Sequence, residues 1–147
     1  MADHIRKQIR DAAVTVLTGL TTTGSNIFAS RVYPIEADTL PCLVVMTPTE
    51  SITLESGTLE APQRELVLEI KGVAKATSDL DDTLDQIAKE VETAIHTDIT
   101  LGGLSYSLDL QGTDTALTDE GDQPNGSITL TYIVLYRTPF GAPTTVA

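Results

Sequence analysis

The side chains that most often act as nucleophiles or metal ligands near neutral pH are scarce in this chain of 147 residues: one cysteine, Cys42, and two histidines, His4 and His96. A thiol needs a neighbouring base or positive field to become a thiolate, and the sequence around Cys42 offers none, so it reads as a small buried residue. His4 and His96 fall near the ends of two predicted helices, and neither belongs to a metal-ligand pair or a nucleophile motif. A lone cysteine excludes an internal disulfide and any multi-cysteine zinc site. Gly102-Gly103 reads as a turn, with no Walker loop or dinucleotide fingerprint around it. Asp81 and Asp82 could form an acid–base pair, but they stand where a helix start favours negative charge. Asp114, Asp119, Glu120 and Asp122 bring four acids into one segment. They lack the spacing of an EF-hand loop and its bidentate Glu, so a mobile acidic loop is expected there rather than a calcium site. Acid–base pairs can also be assembled from distant residues. An enzyme depending on His96 or Cys42 therefore ranks last among the readings, and no cofactor is expected.

Composition narrows the partners. Acidic residues outnumber basic ones 21 to 9, for a formal charge of −12. Such a surface does not attract phosphate backbones. The length fits one domain spanning 1–147 with a single core. No apolar run approaches the roughly 20 residues needed to span a bilayer, and the N-terminus lacks a signal-peptide core, so a soluble protein made in the cytoplasm is expected, with no membrane partner.

The stretch from Arg64 to Asp98 organises the rest. Leu66, Leu68 and Ile70 alternate with Glu65, Glu69 and Lys71, the period of a half-buried strand, and Gly72 is expected to end it. Leu80, Leu84, Ile87, Ala88, Val91, Ala94 and Ile95 recur at helical spacing, with Ser78 or Asp79 as N-cap. Upstream, residues 3–19 read as a first helix with Ile5, Ile9, Ala13, Val16, Leu17 and Leu20 on one side. Its Arg6, Lys7 and Arg10 are candidates for contact with an acidic partner or neighbour, set against an ordinary solvated face.

A short strand is expected within residues 27–33, and Leu43–Met46 reads as a strand covered on both faces, ended by Pro48. Residues 49–63 then form a hairpin arm turning near Ser56 and Gly57. Its Ile52, Leu54 and Leu59 either pack on a neighbouring subunit or fold back with the arm over the subunit's own core. Leu104, Tyr106, Leu108 and Leu110 alternate in another strand, followed by a long loop over residues 111–126. The last strand, residues 127–137, carries apolar residues on its second face at Ile133 and Leu135, which asks for cover. The residues from 136 to 147 are expected to form an extended C-terminal tail because Pro139, Gly141 and Pro143 prevent further regular structure, and Phe140 could anchor it to another chain.

The order of the helix, RVYPIEADTLPCLVV, an acidic arm, ELVLEIKG, SDLDDTLDQIAKEVETAI and GSITLTYIVLYRT resembles the tail terminator proteins of long-tailed bacteriophages, the minor tail protein U group. Related neck and tail-completion proteins share the plan, with a similar "YP…LP" approach to an apolar strand and a "YR" ending. The resemblance implies an α+β fold, with two helices on one face of an antiparallel or mixed sheet. It further implies a non-catalytic virion protein whose homo-hexameric ring caps the tail tube at its head-proximal end. That ring would contact the tail tube protein and the head–tail connector or neck protein, and DNA would pass through its lumen without specific binding. Asp114, Asp119, Glu120 and Asp122 are then candidates for the lumen. A small regulatory ligand-binding α+β domain is the reading from a different class.

Overall fold

A computed structural model describes residues 3–29, 40–53, 61–118 and 125–146. The chain forms α1 (Ile5–Leu17), β1 (Ile27–Phe28), β2 (Cys42–Thr53), β3 (Gln63–Lys75), α2 (Leu80–Ile95), β4 (Ser107–Thr118) and β5 (Asn125–Arg137). The strands make one mixed sheet in the order β1-β2-β3-β5-β4. β1 runs parallel to β2, and every other neighbouring pair is antiparallel. Both helices lie on the same face, giving the α+β arrangement.

The core forms where two periodicities meet. Every second residue of β3 and β5 faces the helices, placing Leu66, Leu68, Ile70, Leu130, Tyr132 and Val134 in the core. The helices answer with Ile5, Ile9, Ala13 and Leu17 from α1 and Leu80, Leu84, Ile87, Val91 and Ile95 from α2. Each of the leucines, isoleucines and valines among them contributes roughly 1.5–3 kcal/mol through burial. Cys42–Met46 are buried throughout, as expected of a strand covered on both faces.

Several expected boundaries move. Pro48 does not end β2. The pairing with β3 skips between Met46 and Thr49, so one extra residue is accommodated at a bulge, where proline's missing N–H is tolerated. The bulge inverts the alternation: Leu43 and Val45 face the helices before it, and Glu50 and Ile52 face them after it. β2 and β3 thus extend through the flanks of the expected arm, whose tip at residues 54–60 lies outside the described residues. Gly72 is an interior residue of β3, at a close approach of α2. The expected loop over residues 111–126 is strand as far as Thr118, with a second bulge between Leu110 and Gly112. Backbone pairing with β5 holds this half of β4, whose described side chains are exposed. β5 continues to Arg137, so the tail begins at Thr138. It does not fray: Pro143 accepts from the Ile5 amide at 2.8 Å, tying the tail to the start of α1.

Asp79 is the N-cap of α2, yet its side chain makes no capping bond and instead accepts from the Thr77 hydroxyl at 2.7 Å. At the other end, Asp98 organises the turn after α2 by accepting from the amides of Thr100 and Gly102.

Candidate assembly surfaces

One end of the sheet collects the C-terminal ends of β2 and β5, the start of β3 and the start of α1. Glu50, turned towards the helices by the bulge, is the centre of this end. Its Oε2 accepts from Arg6 Nη1 at 2.9 Å and from Arg64 Nη1 at 3.0 Å, and its Oε1 accepts from the Tyr136 hydroxyl. Arg64 also donates to Thr138 Oγ1 at 3.1 Å and lies against the Tyr136 ring. The Glu50 side chain is only 7% exposed, against 14% for Arg64 and 39% for Arg6. A carboxylate this buried needs both cations and the hydroxyl to offset its lost hydration. Burial, followed by this hydrogen bond to Glu50, pushes the Tyr136 hydroxyl well above the usual phenol range.

Around this network the end is apolar and basic. Ile52 is 55% and Phe140 73% exposed. Tyr106 donates to Gln63 and lies beneath the Arg137 guanidinium. The opposite end is acidic: Asp79, Asp81 and Asp82 mark the start of α2, close to the exposed Leu117 of β4.

His4 is the N-cap of α1, its Nδ1 accepting from the Arg6 amide at 3.0 Å. Burial, then the positive charges of Arg6 and Arg64, lower its pKa from the ordinary 6.5, with Glu50 opposing them. The unfolded chain therefore binds the proton more readily, and the stabilisation present above about pH 6.5 is lost as the pH falls through the lowered folded value. We expect the melting temperature to fall between pH 7 and 5, and His4→Asn, which keeps a capping acceptor, to flatten that slope. An unchanged slope in the variant removes His4 as its source. The carboxylates of Glu90 and Asp98 act at lower pH. Burial opposes ionisation of Glu90, but bonds from Thr22 and Gln86 outweigh it and hold its pKa below 4.5, and the Thr100 hydroxyl leads the causes that hold Asp98 below 3.8.

The residues singled out by sequence distribute unevenly. Arg6 and Arg10 are drawn onto β2, Arg10 Nη1 donating to Thr47 Oγ1 at 2.9 Å, while Lys7 bridges Asp3 and Asp11 in the exposed helix face. Ile133 and Leu135 are half-buried on the sheet face away from the helices. Asp114 is an exposed residue of β4 on that same face, paired with Thr129. Leu54, Leu59, Asp119, Glu120 and Asp122 lie outside the described residues. Sequence reasoning missed Glu50, Arg64 and Tyr136. The one available signal was a carboxylate two residues beyond a proline, where alternation changes phase.

Nucleophile and metal chemistry find no framework among the described residues. Burial pushes the Cys42 thiol up to about 11, the opposite of an activated thiolate. His96 packs near the Tyr132 ring, 6.4 Å between centroids. No group of three or more His, Cys, Asp or Glu among the described residues could hold a metal ion.

A family model described as "Phage minor tail protein U" matches residues 4–136. Among solved structures, a chain from a structure titled "Virion of native gene transfer agent (GTA) particle" shares the fold at a TM-score of 0.52 and 14% identity, over 92% of each chain. No curated protein matches.

Proposed function

Since the chain belongs to the phage minor tail protein U family, and is thus a non-enzymatic structural component of the virion tail, we propose that it acts as the tail terminator. Six copies form a ring that caps the head-proximal end of the tail tube, stops addition of tube subunits and presents a surface to the head connector. The observation that carries this reading is the chemical difference between the two ends of the subunit. A cap must meet a tube on one side and a connector on the other. The end with Ile52, Phe140, Tyr106 and the arginines supplies an apolar, basic surface for the tube, and the end with Asp79, Asp81 and Asp82 supplies an acidic one. Exposed large apolar side chains gathered at one end are the usual mark of a protein contact.

The sheet face without helices carries Glu65, Glu69, Asp109 and Asp114 around Val67, Ile133 and Leu135, with Lys71 among them and Lys75 and Arg137 towards its two ends. Turned to the lumen, these carboxylates repel the phosphate backbone and let DNA slide.

Tube growth tests the proposal. Added to polymerising tail tubes, the wild-type protein is expected to arrest elongation and narrow the length distribution seen by electron microscopy. Ile52→Asp/Phe140→Asp is expected to keep its melting temperature, since both side chains are exposed, and to lose the arrest. Tubes that grow equally with and without the wild-type protein would sink the terminator role. Full arrest by the variant would move the tube contact away from this end.

A further inference from the structure

We infer that the second half of β4 takes up an extended strand from the protein that meets the head-facing end of the cap, a segment alternating aliphatic with basic side chains. The source of that strand rests on the terminator reading, and the site itself rests on the fold. β4 is the last strand of the sheet, and among the described residues Gly112–Leu117 make backbone hydrogen bonds to β5 alone. Their outer N–H and C=O groups form an open row of roughly 20 Å, a template for another strand.

Edges of this kind are normally guarded by lysine, proline or a covering helix. The stretch from Gly112 to Leu117 contains neither lysine nor proline, and neither helix covers it: all its residues are exposed, Leu117 at 72%. The bulge between Leu110 and Gly112 lies before it, and Asp114 is its single charge. A strand fixed by β5 that buries no side chain in its own subunit is suited to burial against a partner.

The pleat sets what the partner must carry. Thr113, Thr115 and Leu117 share the helix side with Leu130 and Ile128 of β5, and Thr115 and Leu117 border a recess with Asp81 and Leu84 of α2. Aliphatic side chains of an added strand pack on this side, beside Leu117. Asp114 turns to the other side, where the first cation in its row is Lys71, beyond Thr129. A lysine or arginine opposite Asp114 makes the favourable cross-strand pair. Asp79, Asp81 and Asp82 add a negative field at the end where the segment enters, which speeds its encounter with a basic chain. Lys89, the cation of α2, borders a different recess with Gly19 and Thr21. Glu65 and Glu69, on the interior strand β3, are untouched by the added strand.

A second copy supplies no such segment among the described residues. Arg6, Lys7, Arg10 and Lys89 stand on helices, and Arg64, Lys71, Lys75 and Arg137 stand on β3 and β5, each already paired on both sides. Two β4 edges brought together would set like charges against each other.

The test uses the full chain, isotope-labelled, with a short peptide alternating valine and lysine and an isomer of the same composition in which valines and lysines are grouped. The alternating peptide is expected to bind and to slow hydrogen exchange at every second amide of Gly112–Leu117, those pointing outward. The grouped isomer is expected to bind about tenfold more weakly and without that pattern. Thr115→Asp/Leu117→Asp changes exposed side chains, so it is expected to keep the wild-type melting temperature and to weaken the alternating peptide about tenfold or more. Failure to bind, protection elsewhere, equal binding of the two isomers, or full affinity in the variant overturns the strand site. Alternate protection arising in the chain alone as its concentration rises gives the edge to a second copy and likewise overturns it. Assembly reads the source. Tubes capped by the variant are expected to stop at wild-type length yet to join heads at least about tenfold less often, and joining at the wild-type rate removes the head-side partner. Tube length reads the terminator role separately: a wild-type chain that leaves tubes growing removes that role, while alternate protection by the peptide keeps the strand site.

Discussion

Glu50→Ala is expected to lower the unfolding free energy by about 3 kcal/mol, measured by urea denaturation at pH 7. The substitution removes one carboxylate but strands three groups. Arg64, mostly buried, loses its acidic partner among the described residues and keeps the hydrogen bond to Thr138 Oγ1. The buried Tyr136 hydroxyl loses its acceptor. Arg6, more than a third exposed, turns to water at little cost. Breaking a fully buried pair costs about 3–5 kcal/mol, and the partial exposure of the arginines places this site at the lower end. Arg6→Ala, removing an exposed partner, is expected to cost under about 1 kcal/mol. A cost for Glu50→Ala no greater than that for Arg6→Ala would mean that water replaces the network freely, and that the end of the sheet is held by packing alone.

This network also marks the boundary of what the sequence discloses. α2 is readable because Leu80, Leu84, Ile87, Val91 and Ile95 bury one stripe at helical spacing, and β5 because Ile128, Leu130, Tyr132, Val134 and Tyr136 bury every second position. Both patterns arise from a face pressed against a core. The second half of β4, GTDTAL, faces no core. It is a strand through backbone pairing with β5, and backbone hydrogen bonds leave no trace in side-chain type. Pro48 misleads for a related reason, since proline opposes a regular ladder but sits readily in a bulge. Once the bulge is missed, every residue after it is assigned to the wrong face, and Glu50 reads as part of a solvated arm. Its partners lie 44 residues before it, 14 after it and 86 after it. No local pattern links them.

In the sequence Gly72 marks the expected end of a strand, yet its role is to let α2 approach the sheet, and substitution there is the second change expected to have a large effect. A Cβ at this position would stand 2.7 Å from Ile87 Cγ2, 3.4 Å from Ile128 Cγ2 and 3.6 Å from Leu43 Cδ2. Ile87 is buried and β-branched, and its single favoured helical rotamer leaves that methyl little room to move. Gly72→Ala is therefore expected to cost about 1–2 kcal/mol despite alanine's better strand entropy, and Gly72→Val, with two further methyls, about 3 kcal/mol or more. The background at position 87 separates this clash from a backbone effect. Ile87→Val retains the offending Cγ2, so Gly72→Ala should cost as much there as in the wild type. Ile87→Leu removes the branch at Cβ, and the cost of Gly72→Ala should fall by about 1 kcal/mol, a coupling that a double-mutant cycle resolves. Equal costs in all three backgrounds would show that α2 lifts as a body to admit the methyl. The glycine would then serve the strand rather than the helix that lies across it.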